Sequence, residues 1–321
     1  MTKNLVTGGA GFIGSHLVER LLAAGESVEV IDDLSTGALS NLDSVKGHPA
    51  FAFHQGSIMD EALMERLITR TDRVWHLAAA VGVRLIVEKP VHTIETNIRG
   101  TETLLQIAAR AGKSVLITST SEVYGKSTQV PFSEEDNLVF GATTKPRWAY
   151  ACSKAIDEFL ALAYHQEFGT PVVVVRLFNT VGPRQTGQYG MVIPRFVKQA
   201  LAGRPISIYG DGTQSRAFAD VEDVVGCLTS LMGNPAAAGG VFNIGNNEEI
   251  TIVALAEKII QMTGSTSTLE FIPFEKAYDP NFEDLARRVP DLQKVQALTG
   301  YRPTRNIDAI LRRIIDWHRQ T

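Results

Sequence analysis

Cysteine is scarce in this chain: Cys152 and Cys227 are the only two among 321 residues. They form no Cys-x-x-Cys pair, and none of the seven histidines stands in a His-x-x-x-His pair. A disulfide framework is therefore excluded, a metal site has no ligand spacing behind it, and a reducing cytoplasm is the expected location. No apolar run approaches the roughly 20 residues that a membrane helix requires. No apolar leader precedes the strand pattern Asn4-Leu5-Val6-Thr7, so a secretory signal is not expected. Positive charge is not in excess either: 31 Lys and Arg stand against 35 Asp and Glu, a net charge of −4. Nucleic acid and anionic membrane surfaces are thus unexpected partners. Repeats and low-complexity tracts are absent, and no linker is long enough to separate independent domains.

What is present is an ordinary globular composition, 44% hydrophobic and 21% charged, in a chain long enough for one large domain or two that share a cleft. The first half alternates strand and helix patterns: strands over 4–7, 27–31, 50–55 and 114–118, and helices over 12–24, 60–69, 91–111 and 147–168. The apolar segment 72–77 and Val172-Val173-Val174-Val175 read as strands buried on both faces. This alternation predicts an α/β fold with a doubly wound parallel sheet, a Rossmann architecture. After Asn179 glycine and proline become frequent and the elements shorten. We expect a dinucleotide-binding domain over 1–178 and a smaller substrate-binding domain over 179–321, interleaved at the boundary.

A strand followed by Gly8-x-x-Gly11-x-x-Gly14 and a helix is the context of a dinucleotide loop. Gly8 permits the tight turn, Gly11 the close approach of a pyrophosphate, and Gly14 the packing of helix on strand. Phe12 and Ile13 open the helix. Asp32 ends the next strand, where a carboxylate accepts both ribose hydroxyls and repels a 2′-phosphate. This favours NAD over NADP. The plainer alternative is a structural turn with a helix-capping Asp.

Tyr150 and Lys154 are four apart on a predicted helix and share one face. An ammonium beside a phenol favours phenolate, which suits a general base. Taken alone, such a pair is more often a surface feature. Its place after the fifth strand, with the glycine loop at the start, makes it specific.

With these motifs the sequence resembles the extended short-chain dehydrogenase/reductase family of sugar-nucleotide epimerases, dehydratases and decarboxylases, nearly end to end. The resemblance rests on Thr7-Gly8-Gly9-Ala10-Gly11-Phe12-Ile13-Gly14, Asp32-Asp33-Leu34-Ser35-Thr36-Gly37, His76-Leu77-Ala78-Ala79, Asn97, Tyr124-Gly125, the Tyr150/Lys154 pair and Arg176-Leu177-Phe178-Asn179. It implies that Thr120 completes a catalytic triad. It also implies that Asp33, Ser35, Thr36, Gly37, Ile58, Leu77, Ala78, Ala79, Asn97 and Ser119 join the glycine loop, Asp32, Tyr150 and Lys154 around NAD. Ser57 departs from the family, which usually has Asp there against the adenine amino group. A homodimer through the helices near 91–111 and 147–168 is implied as well.

Three segments bear on the reaction. Thr120-Ser121-Glu122-Val123-Tyr124 resembles the UDP-glucuronate decarboxylases of UDP-xylose synthase type. We read Thr120 and Glu122 as neighbours on one face of a strand end. Lys145-Pro146-Arg147-Trp148-Ala149-Tyr150 places Arg147 one turn before the tyrosine, and Arg287-Arg288-Val289-Pro290 supplies Arg288. An arginine fork matches a carboxylate. The resemblance implies C4 oxidation of UDP-glucuronate, decarboxylation of the β-keto acid and C4 reduction. It further implies a nucleotide-sugar site with Asn179, Val192, Tyr209 and Arg216, and residues 188–194 beside the base. Plainer readings stay open. Glu122 is then a structural acceptor, Arg147 a partner of Glu134 or Glu135, Arg288 a pyrophosphate ligand only, and Tyr209 and Phe218 core aromatics. The loop Ala80-Val81-Gly82-Val83 looks more like that of 4-epimerases. A UDP-hexose or UDP-hexuronate 4-epimerase is the alternative reaction, and a non-catalytic NAD-binding regulator the alternative class.

Overall fold

The computed structural model describes residues 1–80, 89–187, 191–273 and 287–320, apart from the side chain of Arg147. The first half runs β1 (Lys3–Thr7), α1 (Phe12–Ala23), β2 (Ser27–Asp32), β3 (Phe51–Gln55), α2 (Glu61–Thr69) and β4 (Arg73–His76). It continues with α3 (Pro90–Arg110), β5 (Ser114–Thr120), a 3-10 turn (Ser121–Tyr124), α4 (Arg147–Phe168) and β6 (Val172–Leu177). The second half holds β7 (Thr180–Val181), α5 (Val192–Leu201), β8 (Ile206–Tyr209), β9 (Ser215–Ala217), β10 (Ala219–Asp220), α6 (Val221–Met232) and β11 (Gly240–Ile244). It ends with β12 (Glu249–Thr251), α7 (Ile252–Thr263), β13 (Leu269–Ile272), α8 (Gln293–Thr299) and α9 (Ile307–Gln320).

Seven strands form one sheet in the order β11-β6-β5-β4-β1-β2-β3, and every pairing in it is parallel. The expected doubly wound α/β fold is therefore the observed one. Unbroken apolar strands are what a sheet covered on both faces demands: Val172, Val174 and Val175 are fully buried in β6. One face packs on α1 and α6, through Leu17, Leu21, Val224 and Leu228. The other packs on α2, α3 and α4, through Leu67, Leu104 and Ala161. Local chemistry fixes the helix ends. Asp60 accepts from the Leu63 N–H to start α2, Asp220 accepts from the Glu222 N–H to start α6, and Gly169 ends α4 in the left-handed conformation at φ 66°.

The second half has its own apolar cluster among α5, α7, α9 and β8, built on Ile193, Phe196, Leu255 and Ile314. Its chain nevertheless returns to the large sheet, because β11 pairs with β6 and α6 covers one face. The two halves are interwoven rather than strung in series.

Candidate active site

The chain runs outward from β1 through β2 to β3, then crosses to β4 on the other side of β1. Adjacent strands whose connections leave in opposite directions open a crevice at their carboxyl ends. Here that crevice is a cavity of about 1010 Å³, at the upper limit of pockets for one drug-sized ligand. The ends of β1, β2, β4 and β5 form one wall, and residues of α5, β8 and β9 form the other.

The β1–β2 end is shaped for a dinucleotide. Gly8 turns at φ 71°. A Cβ on Gly14 would fall 2.2 Å from the Gly8 carbonyl oxygen, so strand and helix can meet only without one. No side chain caps α1 at Gly11, which leaves its first N–H groups for a ligand or water. Asp32 is buried, and its two carboxylate oxygens accept from the Ala10 N–H at 2.9 Å and the Leu34 N–H at 2.8 Å. Each oxygen keeps a lone pair for a ribose hydroxyl. Burial pushes the Asp32 carboxyl up, while those two N–H bonds pull it down. The segment Asp32–Asn41 beside it contains no Lys or Arg to meet a 2′-phosphate.

Most residues expected around NAD line this cavity. Gly8, Gly11, Phe12, Ile13 and Gly14 do so from the loop, and Asp32, Asp33, Ser35 and Thr36 from the end of β2. Ser57, Ile58, Leu77, Ala78 and Ala79 complete that wall. Four others stand behind it. Asn97 is buried, accepting from the Ala80 N–H at 2.8 Å and donating to the Ser153 hydroxyl. Ser119 donates to Glu158, Gly37 lies against the Ala10 backbone, and Lys154 is buried on the same helix as Tyr150.

Tyr150, Lys154 and Asp157 lie at i, i+4 and i+7 on α4, on one face. Tyr150 lines the cavity. Lys154 is 2% exposed, and its Nζ donates to Asp157 Oδ2 at 2.8 Å. The expected lowering of the phenol by the ammonium does not occur in this state. Burial first, then the carboxylates of Glu122 and Asp157, push Tyr150 up instead.

β5 ends at Thr120, so Glu122 belongs to the 3-10 turn and not to a strand edge. The Thr120 hydroxyl accepts from the Glu122 N–H at 3.2 Å, which frees its own proton to donate into the cavity. Glu122 meets Arg288 at 3.3 Å, and both line the cavity with Thr120 and Tyr150. Among the described residues, Arg288 Nε is buried without a hydrogen-bond partner. Behind the turn, Arg176 grips Glu158 with Nε and Nη2 and donates to the Tyr124 hydroxyl at 3.0 Å. Tyr124 in turn donates to Asn243 of β11 at 2.7 Å. This buried brace holds the turn that presents Glu122.

On the opposite wall stand Asn179, Val192, Tyr209, Arg216 and Phe218. Asn179 donates to the Ala217 carbonyl at 3.1 Å, which ties β9 to the end of β6. Phe218 is buried and still reaches the cavity. Arg147 begins α4, three residues before Tyr150, and its side chain lies outside the described atoms. Residues 81–83 and 188–190, of the epimerase-like loop and the expected base pocket, lie outside the described residues. Among the described residues no group of three His, Cys, Asp or Glu could hold a metal.

The sequence profile of the family described as GDP-mannose 4,6 dehydratase matches residues 5–314. The chain belongs to this family. Within it, the chain is 42% identical over 318 residues to a Bacillus cytotoxicus protein named UDP-N-acetyl-alpha-D-glucosaminuronate decarboxylase, covering 98% of this chain and 97% of that one. It is 36% identical to the UDP-glucuronic acid decarboxylase 1 of Xenopus tropicalis, over 98% of this chain and 72% of that protein. Among solved structures, a Bacillus cereus UDP-glucuronic acid 4-epimerase with UDP-glucuronic acid and NAD superimposes with a TM-score of 0.89, 30% identity and 99% coverage of both chains. The expected kinship with extended short-chain dehydrogenases/reductases is thereby established, and these relatives are enzymes of the decarboxylase or epimerase kind.

Two site residues escape motif reading in this family member. Arg195 stacks its guanidinium 4.0 Å from the centre of the Tyr209 ring and lines the cavity. Asp157, three residues after the lysine on the same helix face, is the other. Nothing in a chain of letters distinguishes it from a solvated acid.

Proposed function

We propose that the protein is an NAD-dependent UDP-glucuronate decarboxylase. The observation that carries this reading is the Glu122–Arg288 pair within the cavity that also holds Thr120 and Tyr150. A UDP-hexose 4-epimerase has no C6 carboxylate to hold and no use for an arginine fork there; against a UDP-uronate 4-epimerase, which has one, stands the likeness to decarboxylases over nearly the whole chain. A decarboxylase must also hold a C6 carboxylate, and Arg288 Nε is a buried donor still in need of an acceptor.

Gly8 to Gly14 and Asp32 hold the NAD, which when bound supplies the acceptor and later the donor of the C4 hydride. Tyr150 takes the proton of the C4 hydroxyl. Thr120 donates a hydrogen bond to the same oxygen and steadies its negative charge as it develops. A 4-keto uronate is a β-keto acid, so carbon dioxide leaves with its electrons accepted by the ketone. Arg288 orients the carboxylate before it departs. Glu122 orders a water or passes the proton that returns to C5. Asn179, Val192, Tyr209 and Arg216 bind the nucleotide diphosphate, and Arg147, one turn before Tyr150 in the sequence, is the expected further contact for the sugar.

The name of the Bacillus cytotoxicus relative adds an N-acetyl group to the sugar, so UDP-N-acetylglucosaminuronate is the second substrate of choice. A 4-epimerase is the second reaction, favoured by the likeness to the Bacillus cereus enzyme. A non-catalytic NAD-binding regulator needs none of Thr120, Tyr150 and Lys154, which are intact. We place the protein in the cytoplasm, where its two free cysteines stay reduced. It pairs as a homodimer through α3 and α4. Among the described residues no helix is long and apolar enough to cross a membrane.

The deciding test is incubation with UDP-glucuronate and mass spectrometry of the products. A product lighter by carbon dioxide supports the reading. An isomer of unchanged mass replaces it with the epimerase.

A further inference from the structure

A chain of buried polar groups leads from the glycine loop to the lysine. The Thr7 hydroxyl accepts from the Ala78 N–H at 3.2 Å and lies 2.8 Å from His76 Nδ1. His76 Nε2 lies 3.1 Å from the Thr101 hydroxyl. Burial, reinforced by the nearby Lys154 charge, lowers His76 to about 3, so it is neutral at working pH. Burial raises the Asp157 carboxyl, while the Lys154 ammonium and, more weakly, the Thr101 hydroxyl favour its charged form.

Asp157 is fully buried. Its Oδ2 accepts from Lys154, and its Oδ1 has no partner in close hydrogen-bond geometry. The group it serves is the ammonium.

We propose that Asp157 is a positioning residue for the Tyr150–Lys154 pair, its carboxylate holding the Lys154 ammonium and offsetting its charge. The inference rests on the reading of Tyr150 as general base. The charged groups that face Tyr150 among the described residues are Glu122 from the turn after β5, and Lys154 and Asp157 from its own helix. Behind Asp157 lies Glu158, engaged by Arg176. His76 from β4 is neutral, and α3 contributes the uncharged Thr101. Removing the negative charge at Asp157 makes the phenolate easier to form. The acidic limb of the pH–rate profile must therefore move to lower pH.

The test is the pH dependence of kcat/KM for the protein and for Asp157→Asn, Asp157→Glu and Tyr150→Phe, using whichever UDP-uronate it turns over. Asp157→Asn should move the acidic limb down by about one pH unit, and Asp157→Glu should leave it nearly in place. Thermal unfolding checks that each variant folds, and Asp157→Ser replaces Asn if that variant does not. A fall in kcat with the limb unmoved in the neutral variant overturns the inference, since packing alone would do that. Activity that survives Tyr150→Phe overturns the general-base reading and the inference with it. Activity lost in Tyr150→Phe, together with an unmoved limb in Asp157→Asn, overturns the inference alone.

Discussion

Arg288 and Glu122 stand 166 positions apart in the chain, and their side chains meet at 3.3 Å. The contact joins the turn after the fifth strand to a segment near the end of the chain, across the mouth of the cavity. Glu122 sits there because Thr120 ends its strand and caps the turn. Arg288 sits there because its neighbours are pinned: the Phe132 N–H donates to the Val289 carbonyl, and the Asp291 N–H to the Phe132 carbonyl, each at 2.8 Å. If Arg288 holds the substrate carboxylate, Arg288→Ala lowers kcat/KM for UDP-glucuronate by at least about 100-fold. Arg288→Lys recovers only some of it, because a point charge does not replace a fork. Affinity for NAD stays unchanged. Carbon dioxide release and calorimetric titration with NAD measure the two quantities separately.

Glu122 acts on Tyr150 through charge as well as through any proton it moves. Its carboxylate is one of two that push the phenol up after burial has done so. Glu122→Gln keeps the shape and removes that charge, so phenolate forms more readily and the acidic limb of kcat/KM shifts to lower pH. Decarboxylation at the optimum falls at the same time, since the amide cannot take or give the C5 proton. Oxidation at C4 survives and is read as reduced nicotinamide in a single turnover. Tyr150→Phe, by contrast, loses both steps by about 100- to 10,000-fold.

Asp32 is expected to set the choice of cofactor. Asp32→Asn removes the charge while keeping an oxygen for one ribose hydroxyl. The preference for NAD over NADP, measured as the ratio of Kd values, should fall about tenfold or more. An unchanged ratio would mean that shape, not charge, rejects the 2′-phosphate.

His76 makes the fold sensitive to acid. Its folded value lies near 3, far below the ordinary 6.5, because burial disfavours the charged ring. Protons therefore bind the unfolded chain first. The stability that the neutral ring contributes is fully present above pH 6.5 and is lost as pH falls from there toward 3. This one group adds a slope of up to about 1.4 kcal/mol per pH unit in that window. Urea midpoints from about pH 7 to about pH 4 should show it, and His76→Asn should flatten the slope by about one proton.

The sheet was legible in the sequence because its strands are buried on both sides and so read as unbroken apolar runs, as in Val172 to Val175. The glycine loop was legible because only glycine fits at Gly8 and Gly14. The strand end at Thr120 was misplaced. A Thr-x-Glu pattern alternates like a strand, and only the cap bond from Glu122 to Thr120 shows that the chain has already turned. The return of β11 to the large sheet was hidden for another reason. It depends on pairing with β6, a contact between segments far apart in sequence, and no local pattern records it. Asp157 was hidden likewise, since its burial depends on Thr101 and His76 arriving from other elements.

Helices α3 and α4 carry an unusual outer face. Phe159 is 71% exposed and Ile156 46%, three apart on α4; Val91 is 68% exposed and Ile94 37%, three apart on α3. Residues at this spacing share a face. Four large apolar side chains standing in water on two adjacent helices match the rim and core of a symmetric helix-packing interface. A twofold axis through this face would bury the face on a second copy of the chain. Phe159→Glu should then convert the dimer to monomer in sedimentation velocity at micromolar concentration. A wild-type protein that sediments as a monomer would remove the dimer from the proposal. The coupling to chemistry is direct, because Tyr150, Lys154 and Asp157 ride on the same helix as Phe159. If packing against a second copy steadies α4, the monomeric variant loses kcat while its acidic limb stays where it was, which separates a mechanical effect of the interface from the electrostatic effect of Asp157.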